Sequence, residues 1–266
     1  MDIFAYSFFQ KAMLGGMLIG LMAPLIGAFL VLRRLSMIGD TLSHVSIAGV
    51  ALGFLVGTAP QFFGAAFAVV AAFAIEKLRK TYRAYAELSI AIMMSGGIAL
   101  ASLFITMGEG TMNVTGYLFG SVYTLTAEDL WVAAGVTLIV ILFVLVNFKE
   151  LFLMTFDEDA ARVSGLPVSV YNMVVTLLTA LAISAAIKIV GALMVSALIT
   201  VPVACSLIAA KSFRHALVLS ILYAESAVIA GLIAAGLWNL APIGTIVLLL
   251  IAMLIITLIV RKGWRR

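Results

Sequence analysis

The chain has 266 residues, of which 65% are hydrophobic and only 11% charged, with a mean hydropathy of +1.25. No water-soluble domain can hide that much apolar side chain, so the chain is expected in a bilayer as an all-α, polytopic membrane helical bundle. The net charge of +4 sits at the ends of apolar runs, which makes it a topology signal rather than a nucleic-acid patch, and no nucleic-acid partner is expected.

Taking ~20 residues as the length that crosses ~30 Å, apolar segments fall at 12–32, 38–57, 61–76, 88–107, 130–147, 170–187, 190–210, 216–236 and 242–260. That gives eight or nine crossings. No polar stretch reaches the ~50 residues of a minimal soluble domain, so 1–266 reads as a single transmembrane domain. The start, Met1-Asp2-Ile3, lacks a basic n-region and cleavage site, and no removal is expected. With the first segment running from outside to inside, every Lys and Arg except Lys11 and Lys188 lies at an inner end, which places the C-terminus in the cytoplasm. The second and third segments are short and joined by Gly57-Thr58-Ala59-Pro60, so 38–76 reads either as two full crossings or as a re-entrant hairpin. The stretch from Asn113 to Thr126 lies outside and is expected to dip into the membrane as a short helix.

The second segment reaches full length only by starting near Ile38, which carries Asp40, Ser43 and His44 into the membrane. A carboxylate there costs ~2.5 kcal/mol or more, so it faces a partner or a watery path. Asp40 and His44 are four apart and share a helical face, where imidazole and carboxylate can hold zinc, manganese or iron together. Gly49, Gly53 and Gly57 repeat at the same interval on the opposite face and are expected to admit a close helix. The alternative is that Asp40 caps the helix and His44 bonds within the bundle.

Glu225 is the second anomaly, because its helical neighbours Ile221, Leu222, Val228 and Ile229 are apolar. His44 lies about ten residues past Arg34 and Glu225 a similar distance past Arg214, so at ~1.5 Å per residue both reach ~15 Å, near mid-bilayer. With no Lys or Arg at that depth, Glu225 is protonated, paired with His44, or neutralised by a passing metal, and the last is the favoured reading. A neutral Glu225 hydrogen-bonded across the bundle is the alternative.

Other candidates carry less. His215 follows Arg214 at an inner edge and reads as interfacial, while the methionines are scattered and read as packing. Cys205 is the only cysteine, which excludes an intrachain disulfide and a thiolate zinc centre. Between the fifth and sixth crossings, 156–166 reads as a short cytoplasmic helix: Asp157 caps it, Glu158 and Asp159 occupy its first turn, Arg162 lies near its end, and Gly165 with Pro167 terminates it. Small residues such as Ala161 leave room for a docking groove. An ordinary connecting loop is the alternative.

Taken together, these residues resemble the permease family of ABC importers for zinc, manganese and iron, over essentially the whole chain. The segment from Leu32 to His44 looks like that family's signature; Glu158-Asp159-Ala160-Ala161 followed by Gly165 is similar to its coupling helix; and Gly191-Ala192-Leu193-Met194-Val195-Ser196-Ala197-Leu198 running to Pro202 is a third match. The resemblance implies a type II importer-like permease of the bacterial cytoplasmic membrane. It would be a homodimer or pseudo-dimer joined to two cytoplasmic ATPase subunits, which bind the ATP, and fed by an extracytoplasmic metal-binding protein. Asp40, His44 and Glu225 would match the family's metal-path residues, and Asp157, Glu158, Ala161 and Gly165 would couple to the ATPase. No permanent cofactor is implied, and the chain itself is not an enzyme. Many manganese-type members look as though they have Leu-Pro where this chain has Ile47-Ala48, which leans the reading to the zinc branch, with Mn²⁺ or Fe²⁺ as alternatives.

Two rivals make different demands. A proton- or sodium-coupled carrier would use Glu225 as its proton site and need no ATPase. An intramembrane metallohydrolase is poorly served by two histidines and no HExxH motif.

Overall fold

In lipid each backbone N–H and C=O must find its partner within the segment, so long apolar runs are forced into helices. The computed structural model describes residues 6–82, 85–108, 114–121 and 124–264. Among them the helices, in chain order, are α1 (Ser7–Leu32), α2 (Met37–Val56), α3 (Pro60–Thr81), α4 (Ala86–Met107), α5 (Thr115–Phe119), α6 (Ala127–Val146), α7 (Phe148–Phe156), α8 (Glu158–Val163), α9 (Val168–Val190), α10 (Ala192–Ala209), α11 (Phe213–Trp238) and α12 (Pro242–Trp264). Nine of these are long and apolar enough to cross a membrane. They include α2 and α3, of 20 and 22 residues, so each arm of the 38–76 hairpin has the length of a full crossing.

The bundle has two lobes with a shared centre. Helix α1 packs on α6, α9, α10 and α11, whereas α2 packs on α3, α4, α9 and α10. Helices α9 and α10 therefore stand between the lobes, and α12 closes the far side against α10 and α11. Glycine sets the closest approaches. A Cβ on Gly27 of α1 would run into the Ile199 carbonyl of α10, while the same Ile199 side chain lies 3.5 Å from the Cβ position of Gly39 on α2.

Two joints fix the ends. After α1 the chain reverses through Arg34 at φ 58°, with Arg34 N–H donating to the Val31 carbonyl at 3.0 Å and Leu35 N–H to Leu30 at 2.8 Å. Leu35 is buried, which pins this short turn. At the other end α9 breaks at Gly191 (φ 85°, ψ 148°), whose backbone lies directly on that of Gly120 at the end of α5. Ser121 N–H donates to the Lys188 carbonyl at 3.2 Å, tying α5 to α9. This α5 is the short helix expected between 113 and 126; Asn113 lies outside the described residues.

Candidate functional site

Helix α2 begins at Met37, so Asp40 stands inside its first turn rather than at the cap, and Ser36 is the N-cap residue. Asp40 and His44 are both half-buried on one face, and the opposite faces of α2 are filled. A Cβ on Gly49 would strike the Phe63 carbonyl, and one on Gly53 would sit 2.5 Å from Pro60 Cα, so α3 lies directly on both. Gly57 behaves differently: its Cβ position is open, and its φ of 75° makes it the left-handed terminator of α2. On the remaining side α4 packs closely, with Gly97 against Val45 and Thr41 Oγ1 donating to the Ile90 carbonyl at 3.3 Å.

Glu225 sits near the middle of α11, half-buried, with its carboxyl against α1 at Gly20. A Cβ there would stand 3.0 Å from Oε1 and 3.3 Å from Cδ, so glycine provides the seat for the carboxyl. The heights of the two sites can be compared through Ile199, which meets both Gly27 and Gly39. From Gly27 back to Gly20 is about 10 Å of helix, and from Gly39 on to His44 is about 8 Å. Glu225 and His44 thus stand at about the same level. Between them runs α10, packed on both α2 and α11, with half-buried Ser196 and Thr200 one turn apart.

Among the described residues, the side chains of Asp40, His44 and Glu225 make no hydrogen bond or ion pair. Nor does any group of three or more His, Cys, Asp or Glu stand together within the described residues. A single chain therefore joins Asp40 to His44 but leaves Glu225 on a separate helix.

Several charges at the helix ends are, by contrast, paired. Lys188, one of the two exceptions to the inner-end pattern, donates to Asp129 Oδ2 at 2.6 Å, and Asp129 also closes a capping box with Thr126. Lys11 donates to the Leu125 carbonyl at 3.5 Å. At the opposite end Arg33 Nη2 donates to Glu158 Oε2 at 2.8 Å and Nη1 to Asn172 Oδ1 at 2.6 Å. Buried Glu76 accepts from Arg79 at 2.6 Å and from Thr176 at 2.8 Å. Burial lowers the Arg33 pKa from its ordinary value, with Glu158 opposing the shift.

The predicted coupling segment divides by role. Asp157 is the N-cap of α8, accepting from Ala160 N–H at 2.8 Å, and Gly165 ends the turn at φ 83°. Ala161 is fully buried against Met154 and Val168, so its small size serves packing within the chain. Glu158 turns inward to Arg33 and reaches Arg162 with its other oxygen at 2.5 Å. Within 157–165 the exposed residues are Asp157, Asp159, Arg162, Val163, Ser164 and Gly165, with Val163 90% exposed. His215 takes part in the local cap of α11, where its N–H donates to Ser212 Oγ at 3.3 Å.

Sequence reasoning missed three features. Helix α7 carries Phe148, Phe152 and Phe156 onto Phe213, a ring cluster signalled only by aromatic spacing across two distant segments. Gly20 gave no sign of facing Glu225. The Arg33–Glu158 pair joins residues whose separation along the chain offers no local clue.

A polytopic bundle with nine helices long and apolar enough to cross a membrane, among the described residues, is the build of an integral membrane component. The family model described as the ABC 3 transport family matches residues 5–261, and the chain belongs to that family. It is 32% identical over 255 residues to a "Probable metal transport system membrane protein" of Treponema pallidum, covering 95% of this chain and 96% of the relative. To the "Manganese transport system membrane protein MntC" of Halalkalibacterium halodurans it is 30% identical over 249 residues, covering 93% and 85%. Among solved structures it is similar to "PsaBC from Streptococcus pneumoniae in complex with Fab", with a TM-score of 0.84 at 27% identity, covering 96% of this chain and 92% of that one.

Proposed function

We propose that the chain is the membrane permease of an ATP-driven importer for a divalent first-row transition ion, with Asp40, His44 and Glu225 as transient ligands on its path. The observation that carries this reading is the contrast in pairing: among the described residues, Asp40, His44 and Glu225 are half-buried on helices long enough to span, carry ligand chemistry, and have no side-chain partner. Ligands on a route must bind weakly enough to release, and two or three N/O donors replacing part of a hydration shell fit that demand.

The set of one imidazole and two carboxylates suits both Mn²⁺ and Zn²⁺. Relatives named for manganese favour Mn²⁺ over the Zn²⁺ to which Ile47-Ala48 leaned the reading. A second copy of the chain across the half-exposed face of α2, α10 and α11 would bring further donors to one axis. In this reading two ATPase subunits dock on α8 from the cytoplasm through Asp159, Val163 and Ser164 and hydrolyse the ATP. An extracytoplasmic binding protein delivers the ion, and the C-terminus faces the cytoplasm of a bacterial inner membrane. Closure of the ATPases reorients the helices and alternates access. Family membership gives the carrier without an ATPase no support.

The test is uptake of radiolabelled Mn²⁺ and Zn²⁺ into liposomes holding the chain with its ATPase and binding protein. Wild type is expected to require ATP, and His44→Ala and Glu225→Gln to lose at least tenfold in rate. Assembled variants that move both ions at the wild-type rate would remove the site assignment.

A further inference from the structure

Arg33 stands where three elements meet. It follows α1 directly, lies one short turn before α2, and divides its guanidinium between Glu158 on α8 and Asn172 on α9. Among the described residues, Arg33–Glu158 is the sole ion pair between α8 and any other helix. The rest of the α8 anchorage is apolar, through Ala161 against Met154 and Val168. Only 11% of the Arg33 side chain and 35% of the Glu158 side chain are exposed, so water and salt screen the pair weakly.

The connection from Arg33 onward is stiff. Arg34 is held left-handed by its backbone bond to Val31, Leu35 is buried, and α2 starts two residues later, with Asp40 inside its first turn. A displacement of α8 that carries Glu158 therefore pulls on the N-terminus of α2 rather than on a slack loop. Beside the pair lies a polar cavity of about 640 Å³, lined by Glu76, Arg79, Glu158, Arg162 and Asn172, which leaves room for such a movement. A planar guanidinium can hold both acceptors at once, whereas an ammonium lacks that fork.

We propose that Arg33 is a positioning residue for transport: its two-sided contact with Glu158 and Asn172 carries the motion of α8 to the α1–α2 turn and so to Asp40 and His44. The inference rests on the ATP-driven reading above and deepens it. It predicts that breaking the contact leaves the ATPases working while the ion stays put.

The experiment uses the complete complex in proteoliposomes and reads ions transported per ATP hydrolysed. Arg33→Gln and Glu158→Gln are each expected to lower that ratio at least tenfold, with hydrolysis within threefold of wild type. The double variant is expected to be no worse than the poorer single, because both remove one contact. Arg33→Lys, which keeps the charge, is expected to recover only part of the ratio. A ratio within twofold of wild type in Arg33→Gln, or losses that multiply in the double variant, would overturn the proposal. Should Arg33→Gln fail to assemble, Arg33→Lys carries the test, and an unchanged ratio there overturns it. A wild-type complex whose uptake ignores ATP removes the ATP-driven reading and this proposal with it; normal wild-type coupling with indifferent variants removes this proposal alone.

Discussion

Replacing Gly191 by alanine is expected to destabilise the chain by about 2–6 kcal/mol, because two penalties fall on one added atom. The backbone at φ 85° and ψ 148° lies in a region that is essentially reserved for glycine, and a side chain there costs ~1–3 kcal/mol. The new Cβ would also run into Gly120 N and Phe119 C and stand 2.6 Å from the Leu118 carbonyl oxygen. All three are backbone atoms that cannot rotate aside, and such overpacking costs ~1–3 kcal/mol. Two other glycines separate these contributions. Gly165 shares the positive φ, at 83°, but has open space around its Cβ position, so Gly165→Ala is expected to show the conformational part alone. Gly96 has open space inside α4, where alanine gains ~0.5–1 kcal/mol over glycine. Equilibrium unfolding in mixed micelles should therefore rank Gly96→Ala above wild type, Gly165→Ala below it, and Gly191→Ala lowest. If Gly191→Ala unfolds no more easily than Gly165→Ala, the close seating of α5 on the α9–α10 turn is wrong.

Two further outcomes follow from the packing. Asp129→Asn strands Lys188 and weakens the cap of α6, and is expected to cost about 2–3 kcal/mol in the same unfolding measurement, with Lys188→Met in addition recovering more than half; an Asp129→Asn protein as stable as wild type would show that the pair adds nothing. Gly20→Ala narrows the seat of the Glu225 carboxyl and is expected to raise the half-saturating ion concentration for uptake about 3–10-fold, on the order of 1 kcal/mol, with wild-type affinity counting against Gly20 as that seat.

The crossings were legible because lipid makes hydrophobic length almost sufficient to define a helix, and the ends of α2, α9 and α11 fall within a few residues of the apolar runs. The short helix α8 was legible for the same kind of local reason: Asp157 and Gly165 act within their own turn, so their types reveal their positions. Ala161 was not, because smallness fits an outer groove and an inner contact equally well, and only the fold shows it against Met154 and Val168. Gly57 shows the limit of periodicity, since it continues the spacing of Gly49 and Gly53 yet serves a turn while those two serve packing. Asp40 and His44 could be paired from spacing alone, and the common level of His44 and Glu225 from counting residues; that α10 runs between them could not, since it depends on how α10 packs on α2 and α11.

Pairing separates the two kinds of charged residue in this chain better than burial does. Asp129 and Glu76 are more enclosed than Asp40 or Glu225, yet each has a cationic partner within 2.6 Å and hydroxyl donors besides. Such groups are compensated where they stand, and their natural role is to fix the helix ends they join. Asp40, His44 and Glu225 have been carried into spanning helices at a cost of ~2.5 kcal/mol or more for each ionised carboxylate, without a protein group to offset it. In the proposed route, leaving Asp40, His44 and Glu225 open while Glu76 and Asp129 are compensated is what would keep them available to a mobile cation. Under the proposal for Arg33, one compensated pair, Arg33 with Glu158, would also be the link between α8 and the start of α2, where Asp40 and His44 stand.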